Sequence, residues 1–145
     1  MRFNGKWLVC EDGTARPVVD GGLLDAGGVT LTFPFLIDTG ADSTVLSYEA
    51  VAYLGTEVEM ATGPRLEGIG SSTPSVALAA RFWLLNAAGQ TIPFGGRLLG
   101  RPYPAGDDFC ILGRDLLGHF AVIVDRPGGV VLLLTNPHRY VIQDS

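Results

Sequence analysis

One short stretch concentrates the groups able to do chemistry. In Phe35-Leu-Ile-Asp-Thr-Gly-Ala-Asp-Ser-Thr-Val-Leu-Ser47 an apolar run ends in the carboxylate of Asp38, followed at once by Thr39 and Gly40, with a second acid, Asp42, just beyond Ala41. A buried strand that ends in an acid before a glycine delivers that carboxyl into a tight turn. Leu36, Ile37 and Val45 would withdraw Asp38 from water in part, a setting in which a carboxyl can serve acid/base chemistry. Taken alone, Asp-Thr-Gly also describes an ordinary turn. The rest of the chain offers few competitors. Cys10 and Cys110 lie far apart without a C-x-x-C, and His119 and His138 stand near neither. No zinc site is readable and the thiols are expected to be unpaired. Gly68-Ile-Gly70 lacks the third glycine of a dinucleotide fingerprint, so no cofactor is expected.

The whole segment Asp38-Thr-Gly-Ala-Asp-Ser-Thr-Val-Leu46, flanked by Phe35-Leu-Ile37, resembles the active-site signature of the retropepsin-type (retroviral-like) aspartic proteases. Two further segments follow in the order of that family. Leu66-Glu-Gly-Ile-Gly70 is similar to its glycine-tipped flap, and Ile111-Leu-Gly-Arg-Asp-Leu-Leu117 to its I-[IL]-G-R-[ND]-L-L element. Arg16-Pro-Val-Val19 adds a weak match, so the resemblance runs from Arg16 to Phe120. It implies that Asp38 is the catalytic carboxylate and that Thr39 reaches across a dimer axis to the partner's active-site loop. Gly40 would lie against substrate backbone. Asp42 would bind substrate main chain and accept Arg114, whose planar guanidinium suits a carboxylate. Gly68, Ile69 and Gly70 would cover the substrate, while Ile111, Leu112 and Gly113 would pack beneath the loop. Ala41 completes that loop, at a position where many bilobal relatives carry a hydroxyl. The chain also departs from the pattern. The short retroviral enzymes end soon after their last helix, whereas here a hairpin from Phe120 to Thr135 and a tail follow, so a dimer sheet need not be built from the termini. The Gly/Pro/Asp-rich stretch between Ile92 and Asp108 has no family counterpart.

Aspartic proteases use two carboxylates that share a proton, and this chain has one Asp-Thr-Gly. Asp20, Asp25, Asp107, Asp108 and Asp125 are not followed by Thr/Ser-Gly after an apolar strand. A second copy would have to supply the other acid, which a two-fold axis through the site does by symmetry. The reading is therefore a homodimeric aspartic endopeptidase acting on a peptide or protein substrate. The alternative is a catalytically silent peptide-binding or dimerisation module of the same fold, against which the intact Asp38 argues. A strand ending in Asp-x-Gly is also found in actin-like ATPases, but that fold needs far more chain than the 145 residues here.

The elements that must position Asp38 read as mostly β. Apolar residues make up 47% of the chain and charged residues 17%, with 20 glycines and 9 prolines, the profile of one folded, turn-rich domain spanning 1–145. Fifteen acids against ten bases leave a net charge of −5, and no Lys/Arg cluster offers the footprint that phosphate backbones need, so nucleic acid is not expected as a partner. Strands are predicted at Lys6–Cys10, Arg16–Leu24, Val29–Ile37, Ser75–Leu85, Thr91–Leu99, Phe120–Asp125 and Val130–Thr135. In Ser75–Leu85 the residues Val76, Leu78, Ala80, Phe82 and Leu84 share one face. Arg126-Pro-Gly-Gly129 forms the turn of a hairpin. Two short helices are expected, one N-capped by Ser47 and stopping at Gly55, the other over Arg114–His119. The predicted fold is thus all-β with one or two short helices, a single-lobe, retropepsin-like closed barrel. The N-terminus lacks the apolar core of a signal peptide, and the longest apolar run falls far short of the roughly 20 residues that span a bilayer. A soluble, cytoplasmic protein without a membrane partner is the expectation.

Overall fold

The computed structural model describes residues 1–24, 30–55, 59–104, 106 and 109–143. Among them run the strands β1 (Arg2–Val9), β2 (Ala15–Leu24), β3 (Thr30–Ile37), β4 (Val45–Leu46), β5 (Met60–Thr62), β6 (Leu66–Gly68), β7 (Ser71–Thr73), β8 (Val76–Leu85), β9 (Thr91–Gly100), β10 (Cys110–Leu112), β11 (Phe120–Asp125) and β12 (Val130–Thr135). Two short helices, α1 (Tyr48–Leu54) and α2 (Arg114–Leu117), complete the chain.

Six strands close into a barrel in the order β2-β3-β10-β4-β9-β8, with β8 returning to β2. Closure brings β2 so near to its neighbours that its two glycines, Gly21 and Gly22, sit where there is no room for side chains. A Cβ on Gly21 would lie 2.4 Å from the Trp83 carbonyl oxygen, and one on Gly22 would lie 2.3 Å from the Leu31 carbonyl oxygen. The barrel is filled by the alternation read from the sequence, with Leu78, Ala80, Phe82 and Leu84 of β8 all buried. Phe82 stacks on Phe35 of β3 at 5.2 Å between ring centres and on Phe94 of β9 at 5.5 Å. Each fully buried side chain of this size contributes about 2 kcal/mol relative to exposure. The fold is the retropepsin-like single-lobe barrel that the sequence predicts.

Beyond the barrel, β1 leaves β2 to pair with β12 through Arg2–Asn4, and β12 pairs with β11. The first strand therefore begins earlier than the predicted Lys6, because its N-terminal half finds a partner 130 residues away that no local pattern reveals. It ends at Val9, where Cys10 enters a turn. Of the strand expected over Val29–Ile37, Val29 lies outside the described residues and the remainder forms β3. The helix after Ser47 begins and ends as predicted, with Ser47 Oγ accepting the Ala50 N–H at 3.1 Å and Gly55 at the C-cap. The second helix stops at Leu117 instead of His119, with Gly118 as its cap. Five short strands were not predicted. β4, β5 and β10 are only two or three residues long, too few to carry a period, and β6 and β7 form a small separate hairpin. No helix among the described residues is long and apolar enough to cross a membrane. Cys10 is half-buried, Cys110 is buried, and neither is in a disulfide.

Candidate active site

Asp38 follows the last residue of β3, and a parallel strand holds it in place. β10 pairs with β3 residue for residue, Cys110 beside Phe35 and Leu112 beside Ile37. The Asp38 N–H then donates to the Leu112 carbonyl at 3.2 Å. From there the chain turns on itself. Asp38 Oδ1 accepts the Gly40 N–H at 2.9 Å, and the Asp38 carbonyl accepts the Ala41 N–H at 3.2 Å. The turn that the Asp-Thr-Gly sequence describes is thus formed by the acid's own side chain, and the carboxyl is left half-buried. Its second oxygen has no partner in these bonds.

Below the loop stands α2. The first N–H of the helix, on Arg114, donates to the Ala41 carbonyl at 2.8 Å, and that of Asp115 donates to Asp42 at 3.2 Å. Gly113 precedes the helix because nothing larger fits there. A Cβ at Gly113 would come within 2.3 Å of the Ser43 carbonyl carbon and 2.8 Å of its nitrogen. The Gly113 N–H donates to Thr44 Oγ1 at 3.1 Å, and that hydroxyl in turn donates to Asp115 Oδ1 at 2.8 Å. The Thr44 N–H also reaches both Asp115 oxygens at 2.9 Å. Thr44 is 1% exposed, so its ends of these bonds are shielded from water, while Asp115 reaches them from the surface.

Arg114 pairs with Asp42, as the resemblance implies. The two side chains are 61% and 82% exposed in the single chain, however, and an ion pair so open to water contributes little by itself. The firmer support for the loop is therefore the buried Thr44, held by Asp115. Sequence reading passed over both residues although each lies inside a motif segment. A hydroxyl and a carboxylate 71 residues apart carry no local sign that they meet.

The roof is the β6–β7 hairpin. Gly68 pairs with Ser71, Ile69 and Gly70 form the tip, and Gly70 takes a φ of 73°, which suits a residue without a side chain. Arg65 Nε donates to Ser72 Oγ at 2.7 Å and its guanidinium to the Ser72 carbonyl at 2.8 Å, while Ser72 Oγ donates to Glu67 at 3.1 Å. At the root, Ser75 Oγ donates to the Pro64 carbonyl and the Gly63 N–H to the Ser75 carbonyl. The tip makes no such contact, and Ile69 is fully exposed.

Between floor and roof lies a cleft of about 530 Å³. Asp38, Gly40, Ala41 and Asp42 line it from the loop, and Gly68 from the hairpin. Thr39, Ile69 and Gly70 are exposed but do not line it, and Gly113 and Arg114 lie beneath it. Val45, expected from the sequence to shield Asp38, forms an apolar wall with Leu99, and neither Leu99 nor Arg101 beside it was singled out. Leu99 and Arg101 belong to the stretch without a family counterpart, whose first part is strand β9. Asp107 and Asp108 of that stretch lie outside the described residues. A carboxyl at the bottom of such a cleft, with main-chain groups on both sides, can activate a water against an extended chain lying across it.

No protein-family model matches this chain, and no curated protein matches it. Among solved structures, it is similar to the EIAV protease complexed with the inhibitor HBY-793, at 24% identity and a TM-score of 0.50, over 71% of this chain and 86% of that one. It is also similar to a retropepsin-like aspartic protease from Rickettsia conorii, at 16% identity and a TM-score of 0.52, over 92% of this chain and 86% of that one. At these identities the likeness is one of fold.

Proposed function

We propose that this chain is a homodimeric aspartic endopeptidase in which Asp38 of each copy supplies half of a carboxylate dyad. The observation that carries this reading is the seating of Asp38, at the end of β3, on a loop bonded from below by β10 and α2, at the floor of a roofed cleft. In the proposed reaction one carboxylate takes a proton from a water molecule while its protonated mate donates to the scissile carbonyl. The water oxygen bonds to the carbonyl carbon, the C–N bond breaks, and the leaving amine takes up a proton. Neither metal nor cofactor enters the scheme. Thr39 would reach the partner's loop, Gly40 and Asp42 would hold the substrate main chain, and Gly68, Ile69 and Gly70 would close over it. Ala41 keeps the loop small where the substrate passes, with Gly113 and Arg114 as its support. The apolar wall of Val45 and Leu99 favours cleavage beside apolar side chains. Two cysteines outside any disulfide suit a reducing, cytoplasmic setting.

Asp38→Asn should remove turnover of unfolded protein substrates while leaving melting temperature and dimer affinity close to wild type. Equal mixing of wild type with Asp38→Asn, after subunit exchange, should leave about a quarter of dimers fully wild type, and activity at roughly half that of the same wild-type protein alone. Unchanged total activity in the mixture would refute the shared dyad. Peptide binding without turnover by the wild type would favour a silent peptide-binding module instead.

A further inference from the structure

We infer that Arg97 selects an acidic side chain of the substrate, two residues further from the scissile bond than the apolar side chain that rests on Val45 and Leu99. The inference rests on the proposed peptidase reading and narrows its substrate to an extended chain with an acid outside an apolar centre. Three observations lead there.

The first is continuity. Beside the cleft lies a second hollow of about 290 Å³, and Ser43, Pro64 and Leu99 line both. A chain that leaves the cleft past these three residues enters the second hollow. Arg97 and Asp115 line that hollow and not the cleft, so it offers contacts that the Asp38 cleft does not.

The second is spacing. Arg97 and Leu99 are two residues apart on β9, and both line the hollow. Strand residues two apart share a face and lie roughly 7 Å from one another. An extended substrate beside β9 has the same period. Where one of its side chains rests on Leu99, the side chain two residues further out meets Arg97.

The third is charge. Arg97 belongs to the stretch between Ile92 and Asp108 that has no family counterpart. It is exposed, and among the described residues its guanidinium makes no hydrogen bond or ion pair. Arg65, at the roof, is by contrast tied to Ser72. Among the described residues that line the hollow, Asp115 is the one acid. Its Oδ1 already accepts the Thr44 N–H, the Thr44 hydroxyl and the Leu116 N–H, and its Oδ2 accepts the Thr44 N–H as well. The charged group left to receive a ligand here is a planar fork of N–H donors, which fits a carboxylate. In the proposed dimer the two-fold axis repeats Arg97 at the other end of the cleft, so the acid is selected on both sides of the scissile bond.

Peptides with an apolar centre and glutamate, glutamine or lysine at the outer positions test this, as substrates of the wild type and, by fluorescence anisotropy, as ligands of the Asp38→Asn protein. The wild type should cleave the glutamate peptide roughly tenfold better than the lysine peptide by kcat/KM, with the glutamine peptide between them. Arg97→Glu should invert that order, and Arg97→Lys, which keeps the charge, should retain it. Each order is read within one variant, so a uniform loss of activity does not obscure it. Binding to the Asp38→Asn protein should follow the same order, and adding Arg97→Glu to it should reverse that order. Equal cleavage of the three peptides, or a glutamate preference that survives in Arg97→Glu, would overturn the inference and leave the protease reading in place. A wild type that cleaves none of them, beside binding to the Asp38→Asn protein whose order Arg97→Glu reverses, would remove the protease reading and keep the selection by Arg97. Peptides neither cleaved nor bound would overturn both.

Discussion

The floor and the roof of the cleft are both short pieces of chain around glycines, yet they are held by different means. The floor is bound by contacts between distant segments: β10 against β3, α2 against the carbonyls of Ala41 and Asp42, and the buried Thr44 hydroxyl between Gly113 and Asp115. The roof is bound locally, with Arg65, Glu67 and Ser72 joined within one hairpin and its tip in solvent. In the proposed reaction, a group that meets water and a scissile carbonyl at fixed distances needs a rigid mount. A cover that must admit and release a chain needs few attachments. The comparison teaches where rigidity is placed in this molecule, and substitutions on each side can break it or sharpen it.

The largest effect should come from Gly113→Ala. Its new Cβ would press on Ser43 backbone, which cannot swing aside as a side chain can, so a loss of about 3 kcal/mol is expected in urea unfolding, together with loss of activity. A variant with wild-type stability would mean that the floor is looser than its packing suggests. Next, Asp115→Ala leaves the buried Thr44 N–H and hydroxyl without their acceptor and should cost about 2 kcal/mol. Combined with Thr44→Val, it should cost less than the sum of the two single losses, because both remove the same bonds. Full additivity would dissolve the proposed unit.

On the roof, Ile69→Ser should leave the melting temperature within a degree or so, since an exposed side chain contributes almost nothing to folding. It should instead raise KM more than it lowers kcat, which steady-state kinetics on a peptide substrate would resolve. A large drop in stability would show that the tip packs on something in the assembled protein. The smallest effect on the isolated chain is expected from Arg114→Ala, below about 1 kcal/mol given the openness of its pair with Asp42. Measured again at concentrations that would favour the proposed dimer, a clearly greater loss would show that association buries the pair, moving it from the exposed surface to the floor.

Two of these residues mark the limit of sequence reading. Asp42 and Arg114 were matched through the motif, and they do meet, but only the folded chain shows how open to water their pair is. Thr44 and Asp115 lie in the same two motif segments and went unremarked, because their bonds depend on the approach of β4 to α2.

What the sequence determined by itself is whatever a contiguous stretch can encode. The alternation in β8 fixes its buried face, Ser47 and Gly55 bound α1, Arg126–Gly129 turns the last hairpin, and Asp38 to Gly40 writes its own turn with a side-chain bond. Tertiary structure alone decided the existence of β4 and β10, the early start of β1 and the Thr44–Asp115 support of the Asp38 loop. Strands of two or three residues have no period to read and little stability of their own. They form only because barrel closure brings their partners to them, and a hydroxyl or carboxylate finds its mate only once that closure has fixed the distance between them.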